Sequence, residues 1–181
     1  MAILHIITAP HPLLHEVSAA VGDGEFGPSL QQRMDDMTET MYAAPGIGLA
    51  AVQVGELRRM LVADVGVERD EEGERQHELV QLVNPEIVDA AEDNITWEEG
   101  CLSVPGFWED MQRPRWVDVR FRTPMGEERT QRFSEYPAVI VQHEMDHLDG
   151  IIILDKVSRL KRGRYLARVR KEARRQEKAA T

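Results

Sequence analysis

Cysteine is almost absent from these 181 residues: Cys101 stands alone. One thiol excludes an internal disulfide and fits a reducing compartment, where a lone thiolate is free for metal or chemistry. Long hydrophobic runs are absent too. The N-terminal Met1-Ala2-Ile3-Leu4-His5-Ile6-Ile7 has no basic stretch before its short apolar run, so no signal peptide is read there. Ile151-Ile152-Ile153-Leu154 falls far short of a membrane span. A cytoplasmic protein with no membrane partner is expected. No internal repeat or linker divides the chain, and the expectation is a single catalytic domain over 1–181 with a basic C-terminal helix.

Positive charge is scarce overall, for the net charge is −10. It is not scarce at the end. Residues 156–181 hold eleven Lys and Arg against two acids, Glu172 and Glu177. An acidic body with a basic tail suggests an anionic partner for the tail, although a charge run also serves as a plain solvated helix face.

The pattern along the chain alternates helices and strands. Pro10 to Glu16 reads as an irregular loop. Ser29 is placed to cap a helix reaching Tyr42, with Leu30, Met34, Met37 and Met41 as its core stripe. Strands are expected at Arg59–Val65, Leu79–Val83 and Glu86–Ala90, with Asn84-Pro85 as a turn. Glu68 to Glu78 reads as the hairpin tip. Trp116–Phe121 and Arg129–Phe133 form a further pair around Pro124-Met125-Gly126-Glu127. A helix follows over Tyr136–Leu148, then a short strand at Ile151–Leu154 and a terminal helix from about Ser158. Gly106 to Gln112 reads as a loop. Gln53 is polar within the apolar run Leu49–Val54, so it must be hydrogen-bonded or functional.

The chemistry lies in Gln142-His143-Glu144-Met145-Asp146-His147. Residues four apart lie one above the other on a helix, so His143 and His147 can reach one metal ion. Glu144 then stands as a general base beside the site. A catalytic metal of this type takes three protein ligands and an open position, and Cys101 is the natural third. The donor set accepts zinc, iron, nickel or cobalt. A zincin-like metallopeptidase is the alternative, though that class finds its third ligand downstream of the second histidine.

Two other segments are as distinctive: Gly46-Ile47-Gly48-Leu49-Ala50-Ala51-Val52-Gln53 and Glu99-Gly100-Cys101-Leu102-Ser103. With the histidine motif, in this order, they resemble the peptide deformylase family, and the likeness runs from Thr8-Ala9-Pro10 to the terminal helix. The resemblance implies an α+β fold with antiparallel sheets packed around a central metal-binding helix. It implies a metal-dependent hydrolase that removes the N-formyl group from the N-terminal methionine of new proteins and releases formate. Ferrous iron would be held by Cys101, His143 and His147, and Glu144 would carry the proton. Gln53 and the N–H of Leu102 would stabilise the oxyanion. Gly46, Gly48 and Gly100 would let the peptide backbone approach. Ile47, Trp97, Glu99, Tyr136, Val139 and Ile140, with His143, would line the methionine pocket. Trp97 and Tyr136 are bulky for such a wall. The formyl-Met nascent peptide is the implied partner, and the basic tail resembles a helix that docks on the ribosome in some members.

Overall fold

The computed structural model describes residues 2–66 and 76–179. Three helices and seven strands follow in the order α1 (Pro28–Ala43), β1 (Gly48–Ala50), β2 (Met60–Asp64), β3 (Leu79–Ala90), β4 (Asn94–Gly100), β5 (Trp108–Pro114), β6 (Trp116–Arg122), β7 (Glu128–Ser134), α2 (Tyr136–Leu148) and α3 (Arg159–Ala179). β1-β2-β3-β6-β7 make one antiparallel sheet, and β4-β5 make a separate two-stranded ribbon. This is the α+β arrangement expected.

Alternation along β2 explains the layering. Leu61 and Ala63 face one side and join Ala138, Val141, Met145 and Leu148 of α2. Met60 and Val62 face the other and join the α1 stripe Leu30, Met34, Met37 and Met41. A strand covered on both faces is apolar throughout, as Met60-Leu61-Val62-Ala63 is. β6 is covered on one face only, so Val117, Val119 and Phe121 are buried while Asp118 and Arg120 look outward. The α2 helix is therefore wrapped on nearly every side, and ten of its thirteen residues are buried.

Several boundaries differ from the expectations. Ser29 does not cap α1: Gly27, at φ 131°, is the cap residue, and Pro28 occupies the first turn, where its missing N–H costs nothing. Asn84-Pro85 is not a turn. β3 runs through it as a bulge, with Asn84 at φ 53° and its amide bonded both ways to the backbone of Val21, at 2.8 and 2.9 Å. Ile151–Leu154 is not a strand. Ile152, Ile153 and Leu154 are buried, but Ile153–Asp155 forms a single 3-10 turn. Pro12–His15 forms another inside the expected loop. The stretch from Trp108 onward, expected as loop, is β5, and β4 has no counterpart in the expected elements. The expected hairpin tip at Glu68 lies outside the described residues.

Candidate active site and metal centre

The α2 helix carries His143 and His147 one turn apart, with ring centroids 5.1 Å from each other. Cys101 reaches them from just beyond the end of β4, its Sγ 3.1 Å from Nε2 of His147. One donor atom from each of the three lies within 4.8 Å of the others. Glu99 accepts from Nδ1 of His143 at 2.7 Å, which leaves Nε2 of that ring for a cation. Nδ1 of His147 is buried with no partner among the described residues. A cysteine sulfur and two imidazoles brought this close together fit a borderline-soft divalent ion.

The electrostatics agree with that use. Burial, then the charge on His143 and Arg113, pushes the His147 imidazole well below its usual range, so it is neutral and ready to ligate. Burial also works against a charged His143, but Cys101 and Glu99 outweigh it and hold its proton well above the usual range. A cation held there would displace that proton, so its binding would depend on pH. Burial pushes the Glu144 carboxyl up to about 7. Its Oε2 has no hydrogen-bond partner among the described residues.

The three glycines leave room for the site itself. A Cβ on Gly48 would sit 2.2 Å from Oε1 of Glu144, and one on Gly46 would sit 2.6 Å from the Leu102 side chain. A Cβ on Gly100 would meet the Trp108 ring at 2.8 Å. The sequence reading assigned these glycines to the approach of a peptide backbone. Their missing side chains also admit Glu144, Leu102 and Trp108.

Gln53 lies in a 3-10 turn behind the thiolate. Its Oε1 accepts the Ala50 N–H at 2.8 Å, and its Nε2 donates to Ser103 Oγ at 3.0 Å, with Cys101 Sγ 3.8 Å away. This polar residue of the apolar run is thus hydrogen-bonded, as its burial requires. Gly46, Ile47, Gly48, Trp97, Glu99, Gly100, Tyr136, Val139, Ile140, His143 and Glu144 all line one cavity of about 460 Å³, together with Cys101 and Leu102. Trp97 stacks on Tyr136 with centroids 4.6 Å apart, so the pair forms a wall and is not lost in the core. Trp97 remains 41% exposed.

Glu99 touches this cavity, but its carboxylate is occupied. Arg113 forks onto it, with Nη2 to Oε2 at 2.8 Å and Nε to Oε1. Arg113 also reaches Asp146 at 2.9 Å, and Lys156 closes on the same aspartate. Burial works to raise the Glu99 carboxyl, but Arg113 and His143 overcome it and hold it at about 2. Arg113, Asp146 and Ser103 were not expected in the site. Asp146 stood inside the histidine motif without a role. Arg113 has no local signal, since its partners are 14 and 33 positions away.

A helix-borne histidine pair, a cysteine from another segment and a buried glutamate are the parts of a metal-dependent hydrolase site. The family profile described as polypeptide deformylase matches residues 3–163. A peptide deformylase of Phenylobacterium zucineum is 44% identical over 173 residues, covering 96% of this chain and 98% of that one. One from Rhizorhabdus wittichii is 42% identical and covers 99% of this chain and 100% of its own. The crystal structure of peptide deformylase from Ehrlichia chaffeensis superposes with a TM-score of 0.87 at 36% identity, covering 97% of this chain and 99% of that one. The chain belongs to the peptide deformylase family. It is an amide hydrolase that removes the N-formyl group from nascent peptides, and the zincin-like alternative falls away. No helix among the described residues is long and apolar enough to cross a membrane.

Proposed function

We propose that Cys101, His143 and His147 hold one divalent metal ion, ferrous iron, and that Glu144, Gln53 and Leu102 carry out the chemistry beside it on formyl-methionyl peptides. One observation carries the reading: three ligand atoms lie within 4.8 Å of one another, beside a buried glutamate whose Oε2 is unpartnered. The same donors accept zinc, nickel or cobalt.

When bound, the ion supplies Lewis acidity, bringing water toward neutral pKa and drawing on the formyl oxygen. Glu144 takes the proton of the attacking water and passes it to the leaving amine. A carboxyl raised to about 7 suits both tasks, since it can hold or release a proton near neutral pH. In this reading the Leu102 N–H and the Gln53 amide donate to the oxyanion that develops. Loss of one such donor costs roughly 3–4 kcal/mol in the transition state. Glu99 fixes the tautomer and plane of His143, and Arg113 fixes Glu99.

The peptide backbone enters as an added strand. β1 ends its sheet, and Ile47 and Gly48 border the cavity, which supports pairing along that outer edge. The methionine side chain fills the hollow formed by Ile47, Trp97, Tyr136, Val139 and Ile140. Its thioether suits the stacked aromatic pair. The basic helix α3 docks on ribosomal RNA phosphate, and a lone thiolate ligand to Fe(II) fits the cytoplasm.

Protein purified without air tests this reading through formate release from formyl-Met peptides, with metal analysis of Cys101→Ser alongside. Turnover by the wild type and loss of stoichiometric metal in the variant are expected. No formate from a metal-loaded wild type would contradict it.

A further inference from the structure

The two oxyanion donors assigned above come from segments that share no strand pairing. Gln53 lies in the 3-10 turn after β1, and Leu102 lies beyond the end of β4, which belongs to the other sheet. Ser103 is where the two segments meet. It is fully buried and is not among the residues that line the cavity. Its Oγ accepts from Nε2 of Gln53 at 3.0 Å, and its carbonyl accepts the Ala9 N–H at 2.8 Å. The Ile7 N–H donates to the Gln53 carbonyl at 2.8 Å, so residues 7–9 bridge the same two segments. Ser103 is also a central residue of the tight turn from Cys101 to Val104. The Val104 N–H closes that turn on the Cys101 carbonyl at 2.9 Å, and Leu102 is its other central residue.

A carboxamide is planar and carries one acceptor oxygen and two N–H donors. Oε1 of Gln53 is committed to the Ala50 N–H at 2.8 Å, and one hydrogen of Nε2 is committed to Ser103. These two contacts leave the amide a single orientation. Its second N–H then lies on the Cys101 side, with Nε2 3.8 Å from Sγ, beside the three ligand atoms. With no acceptor at position 103 the amide plane is held at one end only. A donor fixed in advance stabilises developing charge without reorganising, and a loosely held donor does not. We propose that Ser103 is a positioning residue for deformylation, its hydroxyl holding the Gln53 amide so that the remaining N–H faces the developing oxyanion. This rests on the assignment of Gln53 to the oxyanion above.

The test is a double-mutant cycle on the metal-loaded enzyme, read as formate release from a formyl-Met peptide. Ser103→Ala is expected to lower kcat about tenfold while KM and metal content stay as in the wild type. Gln53→Ala is expected to lower kcat by roughly 10²–10³-fold. The double variant is expected to be no slower than Gln53→Ala alone, because a residue that acts through Gln53 then has nothing to hold. Ser103→Thr keeps the hydroxyl and is expected to recover most of the turnover lost in Ser103→Ala. Losses that multiply in the double variant are the mark of a merely structural serine and overturn the proposal, as does a Ser103→Thr enzyme as slow as Ser103→Ala. Wild-type turnover in Gln53→Ala overturns the oxyanion assignment and the positioning role with it. Absence of formate from the wild type overturns the deformylase reading itself.

Discussion

At the scale of single residues, Gly48 and Glu144 depend on each other. The glycine leaves the space that the Glu144 carboxylate occupies. Gly48→Ala is therefore expected to displace Glu144 by about an ångström and lower kcat by roughly 10²-fold, while the three ligands keep their metal. Metal analysis with steady-state kinetics checks both halves. Glu99 acts through His143 and Arg113. Its folded pKa of about 2 lies below the ordinary 4.5, so its contribution is fully present above pH 4.5 and fades as the pH falls toward 2. Glu99→Gln leaves Arg113 with Asp146 alone and is expected to cost about 3 kcal/mol near neutral pH, the low end for breaking a buried pair. For a chain of this size that is roughly 6–12 °C in Tm. Thermal unfolding at neutral pH and near pH 3 measures it, and the gap between variant and wild type should narrow at the lower pH.

Among the elements, α2 carries the site and shows some strain at its start. Glu135 precedes it at φ 57° and ψ −129°, a conformation that favours glycine, and its side chain only makes an exposed pair with Arg115. Glu135→Gly relieves strain of about 1–3 kcal/mol and adds about 0.5–1 of unfolded-chain entropy, so a net gain near 1 kcal/mol is expected. An unchanged or lower Tm would count against that account. The α2 helix was fully legible in the sequence, bounds included, because Pro137 marks its start, Gly150 its end, and apolar residues fill its length. The ribbon of β4 and β5 was not legible. Its residues include Glu98, Glu99, Glu109, Asp110 and Arg113, with few buried apolar positions, because one side meets solvent and the other borders the cavity. No alternation is written where neither face joins the core. The bulge at Asn84-Pro85 was hidden for another reason: it depends on Val21, 63 positions away.

Across the whole molecule, charge is divided by region. The body is acidic, whereas α3 presents Arg170, Lys171, Arg174, Arg175 and Lys178 around a shallow hollow. Its anchoring lies earlier, through Tyr165, Arg168 and the pair Lys161–Glu109. Truncation after Val169 is expected to spare peptide turnover and weaken ribosome association at low salt, where phosphate contacts count most. Co-sedimentation across a salt series measures that, and unchanged association would remove α3 from the contact. The residues proposed for the site could be read from the sequence because they fall in three short segments. The shell that orients them could not, since Arg113 and Ser103 reach their partners only through the fold. The central claim is that Glu144 moves the proton and does not hold the metal. Glu144→Gln, purified without air, tests it most directly through metal content and formate release together. Full metal occupancy with turnover lowered by about 10²–10⁴ is predicted. Wild-type turnover at full occupancy would contradict it.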